Sequence, residues 1–165
     1  VLVEAMTHVQ GDCRALLRGR KSDFAEYSTA LEAGAKQDAR ITVEGPFARE
    51  ELALALAQID VLIVPSTWHE NAPFVVLEAR AAGLPVLASR FGGLVEVVDD
   101  EVDGELFSPG DATDLARRLQ RLLDEPDRLA RYRDAVRPPK TLHAAVDEFE
   151  AAYHGASPNH EAARR

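Results

Sequence analysis

The sequence PSTWHENAPFVVLEARAAGLPVLAS, residues 65–89, decides the fold of this chain. An apolar run at 59–64 leads into a polar turn, and a short apolar helix is predicted at about 74–82, before a second apolar run at 85–88. Near-continuous apolar runs of this length are typical of strands buried on both faces of a parallel sheet. Two carboxylates, Glu70 and Glu78, stand eight residues apart, one in the turn and one in the helix. We interpret the rest of the chain as scaffold for this turn.

The same alternation of strand and helix patterns extends along the whole chain. Predicted strands lie near 13–18, 41–45, 59–65, 85–88 and 105–107, and predicted helices near 23–36, 50–58, 74–82, 94–98, 112–124, 127–136 and 141–153. This order predicts an α/β fold, a Rossmann-like and mainly parallel sheet with helices on both faces. We assign residues 1–154 to one domain and 155–165 to a disordered tail. Residues 1–9 have helical apolar spacing but no preceding cap, so we expect the chain to begin within an element, as a fragment would.

Composition restricts the classes of function. With 165 residues, the chain is long enough for one domain with a sizeable core. Its net charge of −9 argues against a nucleic-acid-binding surface. The single cysteine, Cys13, excludes an internal disulfide framework and a cysteine-rich zinc site. No apolar run approaches the ~20 residues of a membrane span, and no signal-peptide pattern is present, so we expect no integral membrane segment and a cytoplasmic location.

Positive charge is concentrated near the end of the first predicted strand. Arg14, Arg18, Arg20 and Lys21 could receive a phosphate, but the pattern favours a solvated loop.

Glu70 and Glu78 are the first candidates for chemistry. Loops that follow parallel strands lie at the carboxyl end of the sheet, where open α/β folds bind ligands. Two carboxylates there can accept directional hydrogen bonds from sugar hydroxyls. They face the same side of a helix only if Glu70 is itself roughly helical, so the spacing leaves open that both are ordinary surface residues.

The segment between the two carboxylates opens a helix. Proline is favoured in a first helical turn, and the unpaired N–H groups there, together with the helix dipole, can bind phosphate. We expect the N–H groups of Phe74, Val75 and Val76 to be free. The candidate ligand-contacting residues here are Asn71, Ala72, Pro73, Phe74, Val75 and Val76.

Two further features of these loops are candidates. Gly92 and Gly93 precede a short helix and indicate either a second phosphate loop or a tight turn. His69 indicates contact with a ligand or solvent rather than a metal, because no second histidine is suitably spaced. We therefore predict no metal site.

Several coupled motifs over about residues 40–125 resemble the signature of the retaining GT-B glycosyltransferases of family 4, the group 1 glycosyl transferases. The matching pieces are Pro65-Ser66, the Glu70 and Glu78 pair, Gly83-Leu84-Pro85-Val86, Gly92-Gly93 with Glu96, and Asp103-Gly104.

The resemblance implies the C-terminal, donor-binding half of a two-domain enzyme that transfers a sugar, with retention, from a nucleotide diphosphate sugar to an unknown acceptor. It implies that Glu70 is catalytic and contacts the donor sugar, and that Glu78 holds the ribose hydroxyls. It also implies that Glu44, Gly45 and Pro46 lie near the base, that the 71–76 backbone meets sugar and diphosphate, and that no cofactor is required. The Glu70-Asn71-Ala72-Pro73 loop is the less common variant of the family and does not indicate which sugar is bound.

The chain departs from the family pattern at its front. Members begin this domain with a strand and a Gly-Arg…Lys-Gly segment that neutralises the diphosphate, and this chain starts after that segment. We expect the absent strand to leave a gap between 13–18 and 60–64, filled by another chain or favouring self-association. Without the acceptor-binding N-terminal domain, we expect the isolated chain to have little or no activity. The resemblance leaves open a peripheral association of the full-length enzyme with the inner face of the membrane.

Two hypotheses from other classes of protein stand beside the enzyme. In the first, the chain is a non-catalytic module that binds a nucleotide or a sugar, and in the second it is an α/β scaffold that binds neither. A Glu70→Gln change that abolishes activity but spares nucleotide affinity favours the enzyme, and an absence of affinity for any nucleotide sugar favours the scaffold.

Overall fold

The computed structural model describes residues 1–20, 24–71 and 73–155. Within these residues, strands alternate with helices as predicted. The elements are α1 (Leu2–Met6), β1 (Ala15–Arg18), α2 (Ala25–Ala35), β2 (Ile41–Glu44), a 3₁₀ turn (Arg49–Glu51), α3 (Leu52–Leu56), β3 (Leu62–Val64), α4 (Phe74–Ala81), β4 (Val86–Ser89), α5 (Leu94–Val97), β5 (Gly104–Phe107), α6 (Ala112–Asp124), α7 (Pro126–Ala135) and α8 (Leu142–Gly155).

The strands form two parallel sheets. β1 pairs with β2, with Arg18 opposite Glu44 at the end of the ladder. In the second sheet β4 is central, paired with β3 on one side and β5 on the other. In the described part of the chain, β1 and β3 do not belong to a common sheet, in agreement with the break expected between 13–18 and 60–64. The predicted α/β fold with parallel strands is confirmed.

Strand β3 is less buried than its sequence predicts. The apolar run at 59–65 contains a strand of only three residues, and Leu62 and Ile63 are half-buried. Its side chains nonetheless pack on both faces, because Leu62 and Val64 join one apolar cluster and Ile63 joins the opposite one. The exposure arises at the strand edge, since among the described strands β3 pairs with β4 alone. In the second run, all four residues of β4 are buried at the centre of the sheet, as predicted.

Helices cover both faces of the three-stranded sheet. On one face, Val76 and Ala79 of α4 pack with Val86 and Ala88 of β4, and Leu94 of α5 joins them. On the opposite face, α1, α6 and α7 cover β4 and β5 around Leu87, Phe107 and Tyr132. A third cluster packs α1 and α2 against the two-stranded sheet. Helix α1 contributes to the second and third clusters and so connects the two sheets.

The last helix stands apart from these clusters. Every residue of α8 is exposed, including the large side chains of Leu142, Phe149 and Tyr153. The predicted tail at 155–165 lies outside the described residues, apart from Gly155, which ends α8.

Among the described helices, none combines the length and the apolar character that crossing a bilayer requires.

Candidate functional site

The candidate residues lie where the parallel strands end, and we call this side of the two sheets the carboxyl edge. Glu44 is the last residue of β2, Glu70 follows β3, and Gly92 and Gly93 follow β4. Because β3 and β4 are adjacent and parallel, the loops that follow them meet.

Glu70 is half-buried in a non-helical loop that joins β3 to α4. Its Oε1 accepts a hydrogen bond of 2.8 Å from the Ser66 hydroxyl. Within the described part of the chain, no hydrogen bond or ion pair reaches the other carboxylate oxygen. Among the described residues, Glu70 therefore has one carboxylate oxygen bound to Ser66 and one without a partner.

Glu78 lies in the second turn of α4 and is also half-buried. Its neighbours Val76 and Ala79 point into the core, fully buried. No donor from the described residues contacts the Glu78 carboxylate. The eight-residue spacing would place Glu70 and Glu78 on one helical face only if Glu70 were itself helical. Glu70 lies in a loop, so the two carboxylates do not share a helical face.

The start of α4 differs in part from the prediction. Pro73 is buried and occupies the N-cap position, without a side-chain cap. Its carbonyl accepts a hydrogen bond of 2.9 Å from the Val76 N–H, so the prediction that this N–H is free is wrong. For Phe74 and Val75 no backbone acceptor is found within the described ranges. Ala72 lies outside the described residues.

The Gly92-Gly93 turn packs directly on the Glu70 loop. The Gly93 N–H donates a hydrogen bond of 2.7 Å to the Glu70 carbonyl. A Cβ atom on Gly92 would lie 2.9 Å from the Glu70 nitrogen, and one on Gly93 would lie 2.7 Å from the Glu70 carbonyl oxygen. These glycines allow two backbones to approach, and α5 behind them has only four residues. The geometry favours the tight-turn interpretation over a second phosphate loop.

His69 adds a side-chain contact to the same junction. Its ring centroid lies 4.2 Å from that of Phe91, with the ring planes tilted by 33°. His69 is exposed and Phe91 half-buried. This agrees with the interpretation of His69 as a loop residue open to solvent.

The end of β2 contains an ion pair that the sequence did not indicate. The Arg18 guanidinium bonds Glu44 Oε2 through Nη2 at 2.5 Å and through Nε at 2.6 Å. It also lies 5.6 Å from the centre of the Phe47 ring. The prediction of a solvated basic loop is therefore wrong for Arg18, which belongs to β1, and Lys21 lies outside the described residues. Gly45 and Pro46, the other candidates here, are exposed.

Sequence reasoning missed two partners, Ser66 and Phe91. Ser66 belongs to the Pro65-Ser66 motif, but the motif gave no indication that its hydroxyl bonds Glu70. The contact between the loops at 69–71 and 91–93 can be predicted only when β3 and β4 are known to be neighbouring strands.

Comparison with solved structures defines the class of fold. HepE from Anabaena, in a structure with UDP-glucose, superposes with a TM-score of 0.75 at 24% identity, over 82% of this chain and 38% of that chain. Sucrose-phosphate synthase from Thermosynechococcus elongatus gives a TM-score of 0.78 at 32% identity, over 93% of this chain and 41% of that chain. The fold is that of the Rossmann-like domains of GT-B glycosyltransferases.

The sequence comparisons define the family. The family model described as "Glycosyl transferases group 1" matches residues 1–138. A D-inositol 3-phosphate glycosyltransferase of Xylanimonas cellulosilytica is 36% identical over 140 residues, which cover 83% of this chain and 33% of that protein. The chain therefore belongs to the group 1 glycosyl transferases and spans about a third of the length of this relative.

Proposed function

We propose that this chain is the donor-binding, C-terminal part of a family 4 glycosyltransferase that takes a sugar from a nucleotide diphosphate sugar and transfers it with retention. One observation carries the proposal. Glu70 and Glu78 flank the start of α4 at the carboxyl edge, and each has carboxylate oxygens without a partner among the described residues. Solvent-accessible carboxylate oxygens at this edge can accept hydrogen bonds from the hydroxyl groups of a sugar and of a ribose.

In this proposal each group has the role that the resemblance to the family implies. Glu70 binds the donor sugar, and Glu78 binds the ribose. The backbone from Asn71 to Val75 meets the sugar and the diphosphate, with the start of α4 supplying N–H groups and a positive dipole end. Glu44, Gly45 and Pro46, at the end of β2, lie near the base. HepE, crystallised with UDP-glucose, supports a nucleotide sugar as the ligand class.

In this proposal the chain supplies only part of an enzyme. Departure of the diphosphate needs electrostatic stabilisation, for which α4 offers a helix N-terminus. Acceptor binding belongs to other parts of the full-length enzyme, so the isolated chain has little or no transferase activity. No metal and no cofactor has a role.

Substitution of the two carboxylates separates sugar recognition from ribose recognition. We expect Glu70→Gln to weaken binding of a nucleotide sugar about tenfold without changing binding of the nucleoside diphosphate, because only the sugar contacts Glu70. We expect Glu78→Gln to weaken binding of both the nucleotide sugar and the nucleoside diphosphate about tenfold, because both ligands contain ribose. Calorimetric titration with UDP and UDP-glucose, then with the ADP and GDP counterparts, measures both effects.

Glu50, an exposed glutamate of the 3₁₀ turn, provides the matched control. Glu50→Gln is expected to bind every ligand like the wild type. A wild-type chain that binds none of these compounds would contradict the proposal, and so would two variants that affect both ligands equally.

The strand edges of β1 and β3 support a second part of the proposal, self-association. Among the described strands, β1 pairs with β2 alone and β3 with β4 alone, and unpaired edges favour pairing with another chain. We expect light scattering to show species larger than the 18.0 kDa monomer as concentration rises. Leu16→Lys, at a half-buried position of β1, should reduce this association. A wild-type chain that stays monomeric at high concentration would contradict it.

A further inference from the structure

We propose that Ser66 is a positioning residue for Glu70, and that its hydroxyl holds Oε1 so that Oε2 is left to accept a hydroxyl of the donor sugar. The inference rests on the proposed function and extends it to a residue outside the two-carboxylate motif. Its starting point is the hydrogen bond of 2.8 Å from Ser66 Oγ to Glu70 Oε1.

The position of Ser66 makes it a firm support. It lies two residues beyond the last residue of β3 and is half-buried. The hydrogen bond spans four residues of a segment that is not helical, so it closes the loop rather than continuing a helix. The hydrogen bond thereby ties the Glu70 carboxylate to the end of β3, and this restricts the rotamers of the Glu70 side chain.

A second anchor holds the Glu70 backbone from the neighbouring strand. The Gly93 N–H donates to the Glu70 carbonyl at 2.7 Å, and Gly93 follows β4. Support from two adjacent strands restricts both the main chain and the side chain of Glu70. A side chain ordered before binding loses less conformational entropy when the ligand arrives, which improves affinity.

The same geometry indicates a role in binding rather than in folding. Glu70 is only half-buried, so water can replace the Ser66 hydroxyl when it is removed. Loss of this hydrogen bond should therefore leave stability nearly unchanged. The effect should appear where the orientation of the carboxylate matters, in the preference for a nucleotide sugar over the nucleotide alone.

Three variants of the full 165-residue chain test the inference: Ser66→Ala, Ser66→Thr and Thr67→Ala. Ser66→Thr keeps the hydroxyl, and Thr67→Ala removes a hydroxyl from the adjacent exposed residue. The first measured quantity is the Kd of the tightest binder among UDP-glucose, ADP-glucose and GDP-mannose. The others are the Kd of the nucleoside diphosphate with the same base (UDP, ADP or GDP) and the melting temperature.

We expect Ser66→Ala to weaken binding of the nucleotide sugar by about fivefold to tenfold, which corresponds to the loss of one hydrogen bond. The Kd of the matching nucleoside diphosphate and the melting temperature should be unchanged. We expect Ser66→Thr to restore wild-type affinity and Thr67→Ala to have no effect. An equal loss of affinity for the nucleotide sugar and its nucleoside diphosphate, or no loss for either, would overturn the positioning role while leaving the proposed function in place. A wild-type chain that binds none of the nucleotide sugars would overturn both.

Discussion

Replacing Glu105 by glutamine is expected to lower the free energy of unfolding by about 3–5 kcal/mol, because it removes the central charge of a buried ionic network. Glu105 lies in β5 and is fully buried. For a chain of this length, the expected fall in melting temperature is about 6–20 °C. Thermal and urea denaturation followed by circular dichroism measure both quantities.

The size of the effect follows from the partners of Glu105. Its Oε2 lies 2.7 Å from Arg121 Nη2 and 3.4 Å from Arg118 Nη1, and its Oε1 accepts from the Tyr132 hydroxyl at 3.0 Å. The hydrogen bond to Glu105 is the main cause of a raised pKa at Arg121. Burial raises the pKa of the Tyr132 hydroxyl. A neutral amide would remove the buried one of the two carboxylates that Arg118 and Arg121 share, and would leave these half-buried guanidinium groups the exposed Glu101 as their shared counter-charge.

Glu101 provides the matched control, because it contacts the same two arginines from the surface. Its Oε1 lies 3.0 Å from Arg121 Nη2 and 3.7 Å from Arg118 Nη1, with 53% of its side chain exposed. Exposed ion pairs contribute about 0–1 kcal/mol, so Glu101→Gln should be nearly silent. A Glu105→Gln variant no less stable than Glu101→Gln would show that the network does not anchor α6 and α7 to β5.

This network also marks the limit of what the sequence predicts. Helices and strands depend on patterns within a dozen residues, and these patterns were sufficient for the α/β fold. At the start of α6, for example, Asp111 caps the helix by accepting a 2.9 Å hydrogen bond from the Asp114 N–H, three residues further along the chain. The buried Glu105 instead has Tyr132 as a hydrogen-bond partner, 27 residues away on α7. No local pattern specifies such a contact.

The candidate site shows the same division. The sequence placed the loop with Glu70 after a strand and Glu78 in the following helix, and both positions are confirmed. It did not predict the Ser66 hydrogen bond or the Val76 bond to Pro73, since these depend on the path of a loop without regular dihedral angles. Nor did it distinguish a phosphate loop from a tight turn at Gly92 and Gly93, because that depends on which strands are neighbours.

The Gly93→Ala substitution is expected to cost about 1–3 kcal/mol of stability through steric overlap. The added Cβ would lie 2.7 Å from the Glu70 carbonyl oxygen and 2.8 Å from that of Asn71, and both atoms are backbone. Rotation of a side chain cannot relieve such contacts, so the Glu70 loop must shift. Under the proposed function, we expect the affinity for a nucleotide sugar to fall by about tenfold to a hundredfold, since the Glu70 carboxylate loses its position. Chemical denaturation and calorimetry on the same preparation measure the two losses.

Alanine substitutions at two other glycines serve as controls, because they distinguish the steric overlap at Gly93 from the general cost of replacing a glycine. Neither Gly19 nor Gly83 has an atom within 4 Å of an added Cβ, and Gly83 alone of the pair has a positive φ, of 71°. Gly19→Ala should therefore be nearly neutral, whereas Gly83→Ala should cost about 1–2 kcal/mol of stability through backbone strain, without loss of nucleotide-sugar affinity. If Gly93→Ala lost stability but bound a nucleotide sugar like the wild type, Glu70 would not need the support of the Gly92-Gly93 turn. Loss of sugar affinity at Gly93 alone would instead mean that recognition depends on the contact between the loops after β3 and β4, with Glu70 held between them.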